Sequence, residues 1–248
     1  MKAYYFLCSL PRAGNTLLGS ILNQSKDIRL TANSILPEII YQLHLIKKDQ
    51  LFTNFPDHKS YDNVVNNVFN NYYQEWNVNN IISRGTWGTP ANLQLLKSII
   101  KKPKFIILYR PVLECLASFI KIEKPLDVEL RCNQLLNKED IIGKSLWSIK
   151  NIIQNKEDYI VIKYNDLITN TNDTIKKIFN YLRVEFKDID TKNLKQFSTN
   201  NIYYNDSVLP FDLHTIRTNK IEFNKYDIKD YLPLNVIKQY SNLDIWKY

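Results

Sequence analysis

Two patterns of apolar positions alternate along this chain. Short continuous apolar runs, which predict buried strands, lie at 4–10, 80–83, 104–110 and 158–164. Segments with apolar residues three and four positions apart, which predict helices, lie at 16–24, 35–48, 61–73, 91–102, 111–122, 127–137, 139–156, 171–182 and 228–240. Because strands alternate with helices, the pattern predicts βαβ units and a mostly parallel sheet covered on both faces. Ligands bind such sheets beyond the carboxyl ends of the strands, so the residues that follow each strand are the candidates for function.

Length and composition limit the class of protein to which this chain can belong. A chain of 248 residues with 44% hydrophobic and 23% charged residues is typical of a globular protein, and we predict one domain over residues 1–248. No stretch approaches the roughly 20 apolar residues that span a bilayer, and the first residues lack the pattern of a signal peptide. Cys8, Cys115 and Cys132 have neither metal-binding nor disulfide-framework spacing. We therefore expect a cytoplasmic protein with reduced thiols.

The formal net charge of +8 has two explanations. One is a lysine-rich solvated surface, and the other is attraction of a small ligand that carries several phosphates. The basic residues are scattered and form no nucleic-acid-binding motif, so we do not expect a nucleic-acid partner.

The segment SLPRAGNT, the 9–16 loop, joins the first predicted strand to the first predicted helix. Compared with the phosphate-binding pattern G-x-x-x-x-G-K-[ST], Gly14 holds the second glycine position and Thr16 the hydroxyl position, but Asn15 replaces the lysine. Backbone N–H groups at such a turn bind anions, and the Arg12 guanidinium adds a planar fork for phosphate oxygens. Without the lysine, and with no aspartate at a strand end for magnesium, the loop suits a terminal phosphate rather than a metal-bound triphosphate. The order of elements predicts a P-loop NTPase-like three-layer α/β/α fold.

SLPRAGNTLL resembles the 5′-phosphosulfate-binding loop of the sulfotransferase family, whose pattern is [YVL]-P-[KR]-[SA]-G-[TN]-T. The arginine form is similar to the tyrosylprotein and bacterial branches. The resemblance implies that the donor is 3′-phosphoadenosine 5′-phosphosulfate (PAPS), that the product is 3′,5′-ADP, and that no metal is required. It also implies that one run of residues binds the nucleotide: Arg12, Ala13, Gly14, Asn15, Thr16 and Leu17.

Three further segments carry the same resemblance. YRPVLECLAS places Arg110 at a strand end and Ser118 eight residues later, the spacing of the family's 3′-phosphate site. The segment that begins YNDL at 164 is similar to a turn on the nucleotide side, although a purely structural turn is the alternative. DLHTIRTNKI is similar to a late segment that closes over the 3′-phosphate, which makes Arg217 a candidate ligand and His214 a second one.

The resemblance also implies catalytic roles. Arg12 stabilises the leaving 5′-phosphate, and Arg84, directly after a predicted strand, lies near the bridging oxygen. The general base is less defined. Asn33 stands where the tyrosylprotein branch has a glutamate, and Thr86 stands where the cytosolic branch has a histidine. Glu38 is therefore the leading candidate base, with His44 on the same predicted helix as a weaker one.

The function that the sequence favours is sulfuryl transfer from PAPS to a hydroxyl acceptor on a sugar, lipid or tyrosine. Two alternatives stay open: a P-loop kinase for a small molecule, and a degenerate nucleotide-binding module without transfer activity. We expect a small-molecule or glycan acceptor as the partner. The sequence names neither the acceptor nor an oligomeric state.

Overall fold

A computed structural model describes residues 2–186, 189–196, 198–199, 202–203, 214–216, 220–221 and 227–245. Its sheet has five strands: β1 Ala3–Ser9, β2 Ile28–Leu30, β3 Asn80–Arg84, β4 Lys104–Tyr109 and β5 Asp158–Lys163. They lie in the order β2-β3-β1-β4-β5, and every neighbouring pair is parallel. Helices flank the sheet, so the predicted P-loop NTPase-like α/β architecture is confirmed.

Most helices of the described residues follow the predicted segments with shifts of a few residues at their ends. The helices are α1 Asn15–Leu22, α2 Leu36–Ile46, α3 Gln50–Asn54, α4 His58–Tyr72, α5 Pro90–Ile99, α6 Val112–Glu123, α7 Val128–Leu136, α8 Ile141–Gln154, α9 Tyr164–Thr169, α10 Thr171–Leu182 and α11 Leu234–Tyr240. A 3-10 turn at Ile228–Asp230 precedes α11, and Ser198–Thr199 (β6) pairs with Ile202–Tyr203 (β7).

Five elements were not predicted: β2, β6, β7, α3 and α9. Strands β6 and β7 have only two residues each. Strand β2 has only three residues with Arg29 in the middle, too few to show a strand pattern. Helices α3 and α9 are each less than two turns long, so the helical period cannot be recognised in them. Pro111 lies at the N-cap of α6, one position before the site expected for it.

The centre of the sheet forms the core. Residues 105–108 of β4 are completely buried, as are Phe6 and Leu7 of β1. Both strands are covered on two faces, which explains why they are continuous apolar runs. The Phe6 ring packs edge-on against Trp87 and Phe69, with centroids 5.1 and 5.8 Å away. Full burial of each such side chain contributes about 1.5–3 kcal/mol.

The strand order determines where the functional residues meet. The 9–16 loop follows the central strand β1, Arg84 ends β3 on one side, and Arg110 follows β4 on the other. Neighbouring strands are about 4.8 Å apart, so the two arginines emerge roughly 10 Å apart with the loop between them. Within the described ranges, no helix is long and apolar enough to cross a bilayer.

Candidate functional site

The 9–16 loop turns sharply between β1 and α1. Arg12 and Gly14 both have positive φ, 63° and 92°, and Gly14 is the N-cap of α1. Glycine has no side chain with which to cap the helix, so the N–H groups of the first turn are left for a ligand. A β-carbon at Gly14 would lie 2.8 Å from the ring of Tyr164. Glycine is therefore required here both by the backbone angle and by the packing beneath it.

Arg12, Ser118 and Arg110 form one cluster beside this loop. Arg12 Nε donates to Ser118 Oγ at 3.2 Å, and a terminal nitrogen of Arg110 donates to the Arg12 carbonyl at 3.0 Å. Ser118 and Arg110 are both buried. The contact joins the loop to the arginine and serine that the sequence assigned to a second anion site. Two guanidinium groups in one place favour a ligand with more than one negative charge.

Arg110 is held in position by two further neighbours. Its Nε donates to Glu114 Oε2 at 3.0 Å, one helical turn away. Its guanidinium carbon lies 4.5 Å from the centre of the Tyr164 ring, which is a cation–π contact. Tyr164 thus contacts both the Gly14 position and Arg110. The sequence suggested a role for this residue only through the YNDL segment, and a structural turn was the alternative.

Asn15, at the position of the lysine in ATP-binding loops, points back into the loop. Its Nδ2 donates to the Leu10 carbonyl at 3.0 Å, which closes the turn. Its Oδ1 is buried and has no hydrogen-bond partner among the described residues. Because its amide donates to the loop backbone, Asn15 stabilises the shape of the loop. A lysine at the same position in ATP-binding loops binds a phosphate instead.

Arg84 lies on the other side of the loop. A terminal nitrogen of Arg84 donates to the Ala32 carbonyl at 2.8 Å, and its backbone N–H donates to Thr31 Oγ1 at 2.8 Å. Both acceptors lie directly after strand β2, which the sequence did not predict. A small cavity, the Arg84 pocket, opens at this point. It is lined by Asn15, Thr16, Gly19, Thr31, Ala32, Arg84 and His214.

The candidate bases are placed differently. Glu38 is exposed on α2 and forms an ion pair with Lys144 of α8 at 3.5 Å. It is not among the residues that line the Arg84 pocket. His44 lies near the end of α2, in its last turn. Of the two late candidates, Arg217 is outside the described residues, whereas His214 lines the Arg84 pocket.

The remaining nucleotide-binding predictions lie in the same loop and helix. Ala13 is completely buried within the turn. Thr16 is half-buried in the first turn of α1 and lines the Arg84 pocket. Leu17 is half-buried and packs against the core. The structure therefore brings together the loop, Arg110 and Ser118 on one side and Thr16 and Arg84 on the other.

The chain is similar to one protein family and to several solved structures. The model of the Sulfotransferase family matches residues 5–188. Among solved structures, the sulfotransferase domain from the curacin biosynthetic pathway is similar at 14% identity and a TM-score of 0.59, with 97% of each chain covered. Mouse sulfotransferase SULT7A1 complexed with PAP is 15% identical with a TM-score of 0.54, over 98% of this chain and 84% of that one. The sulfotransferase domain from the Synechococcus PCC 7002 olefin synthase is 17% identical with a TM-score of 0.51, over 75% of each chain. No curated protein sequence matches.

The fold and the 9–16 loop together define a class of protein. It is an α/β protein in which a phosphate-type loop follows the central strand of a parallel sheet. The family match covers most of the chain, so the chain belongs to the sulfotransferase family and is a transferase. At these low identities the solved structures support the fold alone.

Proposed function

We propose that this enzyme transfers a sulfuryl group from PAPS to a hydroxyl group of a small-molecule or glycan acceptor. The observation that carries the proposal is the contact of Arg12 with Ser118 and Arg110. It brings the two candidate anion-binding groups into direct contact, as expected if one nucleotide with a phosphate on each side of its ribose binds to both. Membership of the sulfotransferase family supports the same conclusion.

The 9–16 loop and the start of α1 bind the 5′-phosphosulfate in this proposal, with Arg12 through Leu17 around it. Arg110 and Ser118 bind the 3′-phosphate. The glycine at 14 fits this role, because any side chain there would fill the space against Tyr164 and deform the turn. Mouse SULT7A1, a structure of the same fold, is complexed with PAP, the desulfated nucleotide.

Sulfuryl transfer needs stabilisation of the charge that grows on the leaving phosphate. The Arg12 guanidinium, the N–H groups of the turn and the Thr16 hydroxyl lie on the loop that would hold that phosphate. Arg84 lies on the opposite side of the loop and shares a pocket with Thr16, which suits a group directed at the bridging oxygen and the acceptor. Preorganised donors of this kind typically contribute 10²–10³-fold in rate each.

A thermal-shift comparison tests the proposal against a kinase. We expect 3′,5′-ADP to raise the melting temperature equally with and without EDTA, since binding to the native state stabilises it. We expect ATP with Mg²⁺ to have little effect, because Asn15 replaces the lysine and its amide is bound to Leu10. A magnesium-dependent shift with ATP and none with 3′,5′-ADP would establish the kinase instead. Binding of 3′,5′-ADP without transfer from labelled PAPS to any hydroxyl would establish a binding module.

A further inference from the structure

We propose that His214 is the catalytic base that takes the proton from the acceptor hydroxyl, a role that rests on the sulfuryl transfer proposed above. His214 lines the Arg84 pocket together with Thr16 and Arg84. No other histidine and no carboxylate lines this pocket in the described part of the chain. An imidazole is the side chain most often used as a general base near neutral pH.

The strand order separates this pocket from the 3′-phosphate side. The loop after β1 lies between β3, which ends at Arg84, and β4, which leads to Arg110. A nucleotide that extends from the loop to Arg110 and Ser118 occupies the β4 side. His214 lies on the β3 side, where Arg84 is. We therefore assign His214 to the acceptor. The sequence resemblance implied a role at the 3′-phosphate instead.

Hydrogen bonds fix the backbone at His214 to the body of the protein. Gln196 Nε2 donates to the His214 carbonyl at 3.2 Å, and Gln196 Oε1 accepts from the Ile216 N–H at 2.8 Å. The preceding residue, Lys195, accepts a hydrogen bond from Ser20 of α1 through its carbonyl at 2.8 Å. One amide side chain thus holds residues 214 and 216 and links them to α1. Gln196 is a positioning residue in this arrangement.

The groups that surround His214 in the pocket suit proton transfer. From α1 come Asn15, Thr16 and Gly19, which carry no charge. The residues after β2 are Thr31 and Ala32, also uncharged, and β3 supplies the cation of Arg84. Glu38, the leading candidate from the sequence, is instead paired with Lys144. Among the described residues that line the pocket, His214 is therefore the one whose side chain can act as a general base.

The chemical step balances with groups already named. The acceptor oxygen attacks the sulfur in line and forms the new S–O bond. The bond between sulfur and the bridging oxygen breaks, and its electron pair leaves with the 5′-phosphate of 3′,5′-ADP. The acceptor proton passes to the imidazole of His214 and then to solvent. The products are a sulfate ester, 3′,5′-ADP and the released proton.

The variant His214→Gln, with His58→Gln as the matched control, tests the assignment. The probes are labelled PAPS, a series of phenols of increasing pKa and an aliphatic alcohol. We expect His214→Gln to lower kcat/KM by about 10²–10⁴-fold for the least acidic acceptors and by less for the most acidic phenol. We also expect it to remove the loss of rate toward acid pH, since a protonated imidazole cannot accept a proton. The activity of His58→Gln and the affinity of His214→Gln for 3′,5′-ADP should differ little from those of the wild type.

The outcomes separate the two proposals. If the wild-type enzyme transfers sulfate and His214→Gln is equally active toward every acceptor, His214 is not the base while the proposed function stands. A large loss of 3′,5′-ADP affinity in His214→Gln, with an unchanged dependence on acceptor pKa, would make it a nucleotide ligand and overturn the assignment. If the wild-type enzyme transfers to no acceptor, the proposed function fails and this inference fails with it.

Gln196→Glu adds a test of positioning. The glutamate can still accept from the Ile216 N–H but cannot donate to the His214 carbonyl. We expect a smaller loss of kcat than in His214→Gln, with the acid limb of the pH profile retained. A variant that only unfolds would lose stability and activity in parallel, so a melting temperature measured beside the pH profile distinguishes the two.

Discussion

Arg12 and Arg84 carry the same charge but lie on opposite sides of the phosphate loop. Arg12 donates a hydrogen bond to Ser118 on the β4 side, and Arg84 donates one to the Ala32 carbonyl at the pocket that Thr16 also lines. A group that acts on charge developing in the transition state lowers the barrier without tightening ground-state binding. Substitution of Arg12 and substitution of Arg84 should therefore have different effects on nucleotide affinity and on turnover.

We expect Arg84→Ala to lower kcat by about 10²-fold or more with little change in 3′,5′-ADP affinity. Arg12→Ala should reduce both. Calorimetry with 3′,5′-ADP and turnover of labelled PAPS measure the two effects. Arg131→Ala is the control, since it removes an arginine paired with Glu123 away from the site. Arg84→Ala with full turnover, or with nucleotide affinity as poor as that of Arg12→Ala, would contradict the placement of Arg84.

Arg110 and Ser118 should contribute unequally to nucleotide affinity. Arg110 offers charge-assisted bonds worth about 1.5–3 kcal/mol each, whereas Ser118 offers one neutral hydroxyl worth about 1 kcal/mol. We expect Arg110→Ala to weaken 3′,5′-ADP binding more than Ser118→Ala does, as measured by calorimetry. Equal costs would mean that the 3′-phosphate is not held mainly by Arg110.

At the scale of elements, the start of α9 supports the loop before α1. The Tyr164 ring contacts the Gly14 position on one side and the Arg110 guanidinium on the other. Tyr164→Phe keeps the ring and should bind 3′,5′-ADP much as the wild type does. Tyr164→Ala removes the cation–π contact and the support of the turn, and should cost about 1–2 kcal/mol of binding. If the phenylalanine variant loses as much as the alanine variant, the phenol hydroxyl rather than the ring carries the effect.

The end of β2 forms one wall of the Arg84 pocket. We expect Ala32→Leu to raise the acceptor KM by about tenfold or more, because the added atoms occupy space that the acceptor would use. The affinity for 3′,5′-ADP should not change, since the proposed nucleotide site lies on the other side of the loop. Ala91→Leu makes the same substitution at an exposed position of α5 and serves as the control. An unchanged acceptor KM would place the acceptor elsewhere.

At the scale of the whole molecule, the reactivity of the three cysteine thiols measures how well the core is shielded from solvent. Burial raises the pKa of Cys8 and Cys132 to about 11 and that of Cys115 to about 12. All three are buried and free. Because thiolate is the reactive form, we expect the native chain to react slowly with a disulfide reagent at pH 8. All three thiols should react quickly in guanidinium chloride, and 3′,5′-ADP should slow the native reaction further. Rapid labelling of a thiol in the native protein would show that the core opens near it.

Much of this arrangement follows from local sequence. The four longest strands were predicted because each is a continuous apolar run, and most helices because their apolar residues repeat at helical spacing. Resemblance to the sulfotransferase motifs predicted roles for Arg12 to Leu17, Arg84, Arg110 and Ser118, because those motifs fix which residue follows which strand; these roles stay predictions. Strand β2 and helix α9 were missed since three or six residues are too few to show a period.

The sequence by itself determined the elements and the residue types at their ends, because those depend on neighbours within a few positions. Only the tertiary structure decided which ends meet. Arg12 contacts Ser118 across 106 residues, and His214 shares a pocket with Arg84. Tyr164 lies under Gly14, and Glu38 is paired with Lys144 outside the pocket lining. These meetings depend on the strand order β2-β3-β1-β4-β5, which is set by how all the elements bury their apolar faces together and not by any one segment.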